Sequence, residues 1–149
     1  MAGMTIDESA ACIGALVWTE RRLFELLGGW VPTTPEPEVK VVLSRRSRHH
    51  GEHALALVAL LPDTRDHEPD ALILPRGDAP RALEAAAGSS ATKERLAAAG
   101  DIAAGHLDAL EAYLAAASPV RDAPGIRAVT AVLAEDRFGL EDVQGLLAR

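Results

Sequence analysis

Four stretches of this chain repeat apolar residues at three-and-four spacing over lengths no strand reaches, and that period commits the chain to long helices. Residues 5–27 align Ile13, Leu16, Val17, Leu23, Phe24 and Leu27 on one face. Residues 35–61 do so with Val39, Val42, Leu43, Leu57 and Leu60. Residues 91–117 align Ile102, Leu110, Tyr113 and Leu114, and residues 122–149 align Ile126, Val129, Leu133, Leu140, Val143 and Leu147. Hydrophobic residues make up 48% of the chain but aromatics only 3%, so the core must be built from Ala, Leu and Val, which suits closely packed helices. A sheet would need more aromatic and β-branched material. The expectation is an all-α protein.

Punctuation divides the stripes. Gly28 and Gly29 read as the stop of the first helix, Thr34 as the N-cap of the second with Pro35 at its first position, and Pro62 as its end. So short a link makes these two helices an antiparallel pair. Residues 62–80, with Pro62, Pro69, Pro75, Gly77 and Pro80, read as a long crossover whose apolar piece, residues 71–74, lies against the helices. A short extra helix over 81–87 precedes the Gly88-Ser89-Ser90 break, Pro119 closes the third long helix, and Asp122 caps the fourth with Pro124 in its first turn. The predicted architecture is one domain, residues 1–149, folded as an antiparallel four-helix bundle with a long crossover between its second and third helices.

The formal net charge of -7 argues against a nucleic-acid partner. The basic clusters Arg21-Arg22 and Arg45-Arg46-Arg48 read as solvated helix faces. Cys12, the single cysteine, forms no intramolecular disulfide, falls in an apolar run as a small core residue, and suits a reducing compartment. Glu20, Arg21 and Arg22 interrupt the first helix too early for it to span a membrane, and no signal peptide precedes it, so a cytoplasmic location is expected. No nucleophile-elbow, Walker-type or dinucleotide-binding glycine motif occurs.

Each apolar stripe is broken at mid-length by ionisable residues: Glu20 in the first, Arg46, His49, His50 and His53 in the second, His106 in the third, Asp136 in the fourth. Counted from the connecting turns at 3.6 residues per turn, Glu20 with the histidines of the second helix, and His106 with Asp136, fall at comparable depths. Buried charges without partners are very costly, so such groups pair with one another or hold a metal. Glu20, His50, His53, His106 and Asp136 are the candidate ligands, of a kind that suits iron, manganese or zinc. Glu135 and His49 stand in reserve. A metal-free alternative uses Arg46 as the cation of a buried salt-bridge network with Glu20 and Asp136. His67 reads as a solvated loop residue, Tyr113 as core filler, and Asp101, Asp108 and Glu111 as surface charges on the third helix.

With this layer in view, the chain resembles the ferritin-like di-iron carboxylate superfamily, in which each helix pair offers a carboxylate from one helix and an E-x-x-H motif from the other. Glu20 matches the first-helix carboxylate and His53 the histidine of the second-helix motif, whereas His50 stands where that motif has Glu. His106 stands where a carboxylate is expected, and Asp136 opens a motif with Gly139 in place of histidine. The resemblance implies a ferritin-like bundle with a remodelled single-metal site, a weakened dinuclear site, or a fold that has lost its metal. Three functions follow as expectations. The first is a metal-dependent oxidase or oxygenase acting on a small molecule, with iron as the first candidate. The second is a metal-free acid/base site using Glu20, His53 and Asp136. The third is a non-enzymatic scaffold, with homodimerisation open to it, that exposes Trp18, Trp30 or residues 71–74 to a partner.

Overall fold

A computed structural model describes residues 3–149, and among these residues it contains six α-helices and no strand. They are α1 (Ile6–Trp30), α2 (Pro37–Val58), α3 (Pro69–Leu72), α4 (Ala79–Ala87), α5 (Thr92–Ala116) and α6 (Ala123–Leu147). The all-α expectation holds, and the four periodic stretches are the four long helices. No helix among the described residues is long and apolar enough to cross a membrane.

The helix ends show where local rules yield to packing. Thr5 caps α1 through a reciprocal capping box, its Oγ1 accepting from the Glu8 amide at 3.2 Å while its own amide donates to Glu8 Oε2 at 2.7 Å. Gly28 and Gly29 do not stop α1, which runs on to Trp30 with a right-handed backbone. Gly28 serves close approach instead: a Cβ there would stand 2.9 Å from Ser47 Oγ, which donates to the Phe24 carbonyl at 2.8 Å. Thr34 is not the cap of α2 either. Glu36 takes that place with Pro37 at the first helical position, while Thr34 turns inward, donates to the Trp30 carbonyl at 2.8 Å and accepts from Arg95 at 3.1 Å. A turn over residues 59–61 ends α2 earlier than Pro62 suggests. Asp122 flanks α6 without capping it, because its carboxylate is taken by the Ser118 amide and the Ser9 hydroxyl.

Along α1 and α2 the facing residues run in opposite numerical order, Gly28 with Ser47, Phe24 with Gly51, and Glu20 with His53. α5 packs along α6, α2 touches α6, and α1 touches α5. The apolar residues collect into two clusters. One holds Leu23, Leu27, Val39, Leu43, Leu96 and Val143 with their neighbours. The other holds Ile13, Val17, Leu57, Leu110, Val129 and Leu133 with theirs. On every long helix the ionisable residue lies, in sequence, between the members of one cluster and those of the other, so the polar layer separates two half-cores.

Several surface readings change. Trp30 is buried, with the Arg95 guanidinium over its ring, and Trp18 packs half-buried beneath Arg22. Within residues 71–74, Leu72 and Ile73 pack against the second cluster while Ala71 and Leu74 are exposed. Phe24, read as a core residue, is 48% exposed and lies against Gly51.

Candidate metal centre

Arg46, His50 and His53 are spaced four and three apart on α2, which sets all three side chains on one face. That face meets Glu20 of α1, His106 of α5 and Asp136 of α6. All six are buried, Glu20 completely. Every candidate ligand named from the sequence therefore arrives at one place, and the ambiguity between His49 and His50 resolves: His50 and His53 face inward, while His49 is half-buried against Arg46 at 3.3 Å.

Glu20 is the hub. Its Oε2 lies 2.5 Å from His50 Nδ1 and its Oε1 lies 2.8 Å from His106 Nε2. Asp136 is held on one side only, where Arg46 donates to Oδ1 at 2.6 Å and also to the Glu135 carbonyl at 3.2 Å. His53 is held from behind, with Nε2 at 2.7 Å from the carboxylate of half-exposed Glu135. Two buried atoms are left without a hydrogen-bond partner: His53 Nδ1 and Asp136 Oδ2. His53 Nδ1 lies 3.5 Å from both Glu20 Oε1 and Asp136 Oδ1, too far for good hydrogen bonds. Buried polar groups are rarely left so, and each costs about 1–3 kcal/mol unless something completes it.

Charge follows geometry. Burial works against the charged form of Glu20, yet His106 and His50 beside it hold the carboxyl well below its ordinary range. Burial and the neighbouring Glu20 charge push Asp136 up. For His53 burial opposes the proton, but Glu20, Asp136 and Glu135 together raise its pKa to about 9. His106 is raised as well, burial again being outweighed by Glu20 and Asp136. His49 is lowered by burial and by Arg46.

The donor set fits a cation. Glu20, His50, His53 and Asp136 each offer one ligand atom, and these atoms lie within 4.8 Å of one another. Around an ion with four tetrahedral bonds of about 2.1 Å the ligand atoms stand about 3.4 Å apart, so the widest pair of this set must close in by roughly an ångström to hold one. Both unpartnered atoms belong to residues of this set. Glu135, a reserve ligand in the sequence, sits instead behind His53 and fixes its ring, the usual place for a carboxylate that orients a ligating histidine.

The sequence left Arg46 two readings, a solvated arginine of its cluster or the cation of a buried network, and it is buried in the layer on Asp136, while Arg45 and Arg48 pair with acids at the surface. Gly139 makes room for it: a Cβ at that position would collide with the Arg46 guanidinium. A glycine on the inward face of α6, three residues after Asp136, was the available signal. Arg95 is buried far from the layer, where it binds the carbonyls of Ser89 and Trp30 and closes the α1–α2 link. Of the remaining residues, Tyr113 is core filler in the second cluster, His67 bonds Asp7 and Thr64 near the surface, and Cys12 is half-buried. Asp101, Asp108 and Glu111 are exposed. No family model matches the chain, and no curated protein or solved structure is significantly similar to it.

Proposed function

We propose that this chain is a ferritin-like, antiparallel four-helix bundle whose polar layer binds one divalent transition-metal ion, iron first and manganese or zinc next, and serves an oxidase or oxygenase reaction on a small molecule. The observation that carries the reading is the pair of buried, unpartnered atoms, His53 Nδ1 and Asp136 Oδ2, within a four-residue set of metal-ligating types. Glu20, His50, His53 and Asp136 hold the ion, and His106 keeps Glu20 oriented through its 2.8 Å contact. Bound iron or manganese would supply redox chemistry and zinc Lewis acidity. The chain's own contribution is to bury the ligand residues between two apolar half-cores, to hold His53 from behind with Glu135, and to fix Asp136 with Arg46. The opposed residue order along α1 and α2 supports the antiparallel arrangement. Gly139 supports a single ion, because Arg46 fills the place where a further ligand on α6 would project.

Elemental analysis of protein purified without chelators, beside a Glu20→Ala, His53→Ala double variant, tests this. About one equivalent of metal in the native chain and none in the variant is the expected result; a native chain that stays empty after anaerobic reconstitution with iron ends the proposal. A second reading is favoured by the Arg46–Asp136 ion pair at 2.6 Å, which gives the layer a resident cation of its own. Under it the layer is a metal-free acid/base site, or a device that fixes helix register. Activity in metal-free protein that disappears in His53→Ala supports the acid/base form.

A further inference from the structure

The polar layer is not sealed on the α5 side. A cavity of about 580 Å³ lies between α1, α5 and the segment leading into α4. It exists because side chains are missing. α5 presents Gly105, Ala109, Ala112 and Ala116 to it at four-three-four spacing, and a Cβ built at Gly105 meets nothing. Its inner wall includes Thr19 and His106, both buried, and the Nε2 of His106 is the atom held by Glu20. The cavity therefore comes within one side chain of the buried carboxylate at the centre of the layer.

Its chemistry is selective. The wall is mostly hydrocarbon, and the exposed charged groups lining it are Arg76, Asp78 and Asp101. At the mouth two acids face one base, and the His106 imidazole deeper in is already matched by Glu20, which disfavours an anionic occupant. Arg76 reaches over to α1 and donates to Cys12 Sγ at 3.0 Å, so one side is bridged and a compact molecule fits better than a helix laid along the groove. Pockets of roughly 300–1,000 Å³ with apolar walls and a few polar groups are the usual size and make-up for small ligands. We propose that this cavity binds an uncharged, largely hydrocarbon small molecule whose one hydrogen-bonding group turns toward His106, and that such molecules are the substrate class of the metal centre. The substrate role rests on the metal-centre reading above; the binding site does not.

The test is titration of the full chain with 2-naphthol, an uncharged fused-ring alcohol at neutral pH, followed by calorimetry and by the side-chain nitrogen signals of the histidines. Saturable one-to-one binding that moves the His106 ring signals is expected. Gly105→Leu and Ala109→Leu, each judged folded by its helical circular dichroism, should weaken binding at least about ten-fold, while Phe138→Ala on a remote exposed surface leaves it unchanged. The anionic ester 2-naphthyl phosphate should bind at least about ten-fold more weakly than 2-naphthol. Equal 2-naphthol affinity in both filled variants, or tighter binding of the ester, overturns the proposal. So does a concentration-dependent dimer that excludes 2-naphthol, which would make a second copy the occupant. Metal content of the same samples separates the two readings. Native protein that takes up 2-naphthol but no metal ends the metal centre and keeps the site, whereas metal uptake without 2-naphthol binding ends the site alone.

Discussion

The two apolar half-cores and the layer between them are built on opposite principles. In the half-cores, Leu57 and Leu110 are fully buried among many interchangeable neighbours, and any well-packed hydrocarbon of similar volume serves. In the layer each group has a specific partner: Glu20 with His50 and His106, Arg46 with Asp136, Glu135 with His53. Apolar contact is divisible and forgiving, whereas buried polar contact is all-or-none, so the difference separates what makes the chain fold from what a site requires.

Removing the hub should have the largest effect. Glu20→Leu strands two buried imidazoles and is expected to cost about 3–5 kcal/mol in urea unfolding, with complete loss of metal uptake. If instead replacing Glu20, His50, His53 and His106 together by apolar residues stabilises the chain and leaves its function intact, the layer only fixes register. Leu110→Ala should cost about 3 kcal/mol in the same assay and leave metal stoichiometry unchanged, since Leu110 offers no ligand atom and packs in the second apolar cluster. A change in stoichiometry there would erase the distinction between the two regions. Gly139→Ala drives a methyl into the Arg46 guanidinium and should cost about 1–3 kcal/mol, an effect that disappears in an Arg46→Ala background where the space is vacant.

A graded effect comes from pH. The folded pKa values of His53 and His106 lie above the unfolded value near 6.5, that of His53 at about 9, so the metal-free protein binds more protons folded than unfolded above 6.5. Their stabilisation is complete below pH 6.5 and is lost as pH rises through the folded values, for His53 toward 9. Glu20, shifted the other way, adds stability that is lost as pH falls below its ordinary range. Thermal unfolding midpoints of the metal-free chain should decline across pH 6.5–9, and a flat profile would mean that the imidazoles are not held charged. The smallest effect is a gain: Gly105→Ala should raise stability by about 0.5–1 kcal/mol, because its added Cβ meets only open space.

The helical class, the four long elements and the identity of the layer residues were legible in the sequence, because hydrophobic period is a local property and an ionisable residue inside a stripe is visible without coordinates. Glu20, His50, His53, His106 and Asp136 all came together as their positions foretold. The exact helix ends were less legible. Gly28 and Thr34 carry strong local signals for a stop and a cap, and each was overridden by contacts with Ser47 and Arg95 that no local rule contains.

By itself, then, the chain's own pattern of apolar and ionisable residues determined that long helices form and that charged groups enter their packed faces. The choice of partners was decided only by the tertiary arrangement. Arg46 lies buried on Asp136 while Arg45 and Arg48 pair at the surface, Glu135 backs His53 from the edge, and small residues on α5 leave a cavity beside His106. The physical reason is range: helical period acts over a few residues, whereas a hydrogen bond, an ion pair or a cavity depends on ångström-scale positions of side chains brought together from helices far apart in the chain.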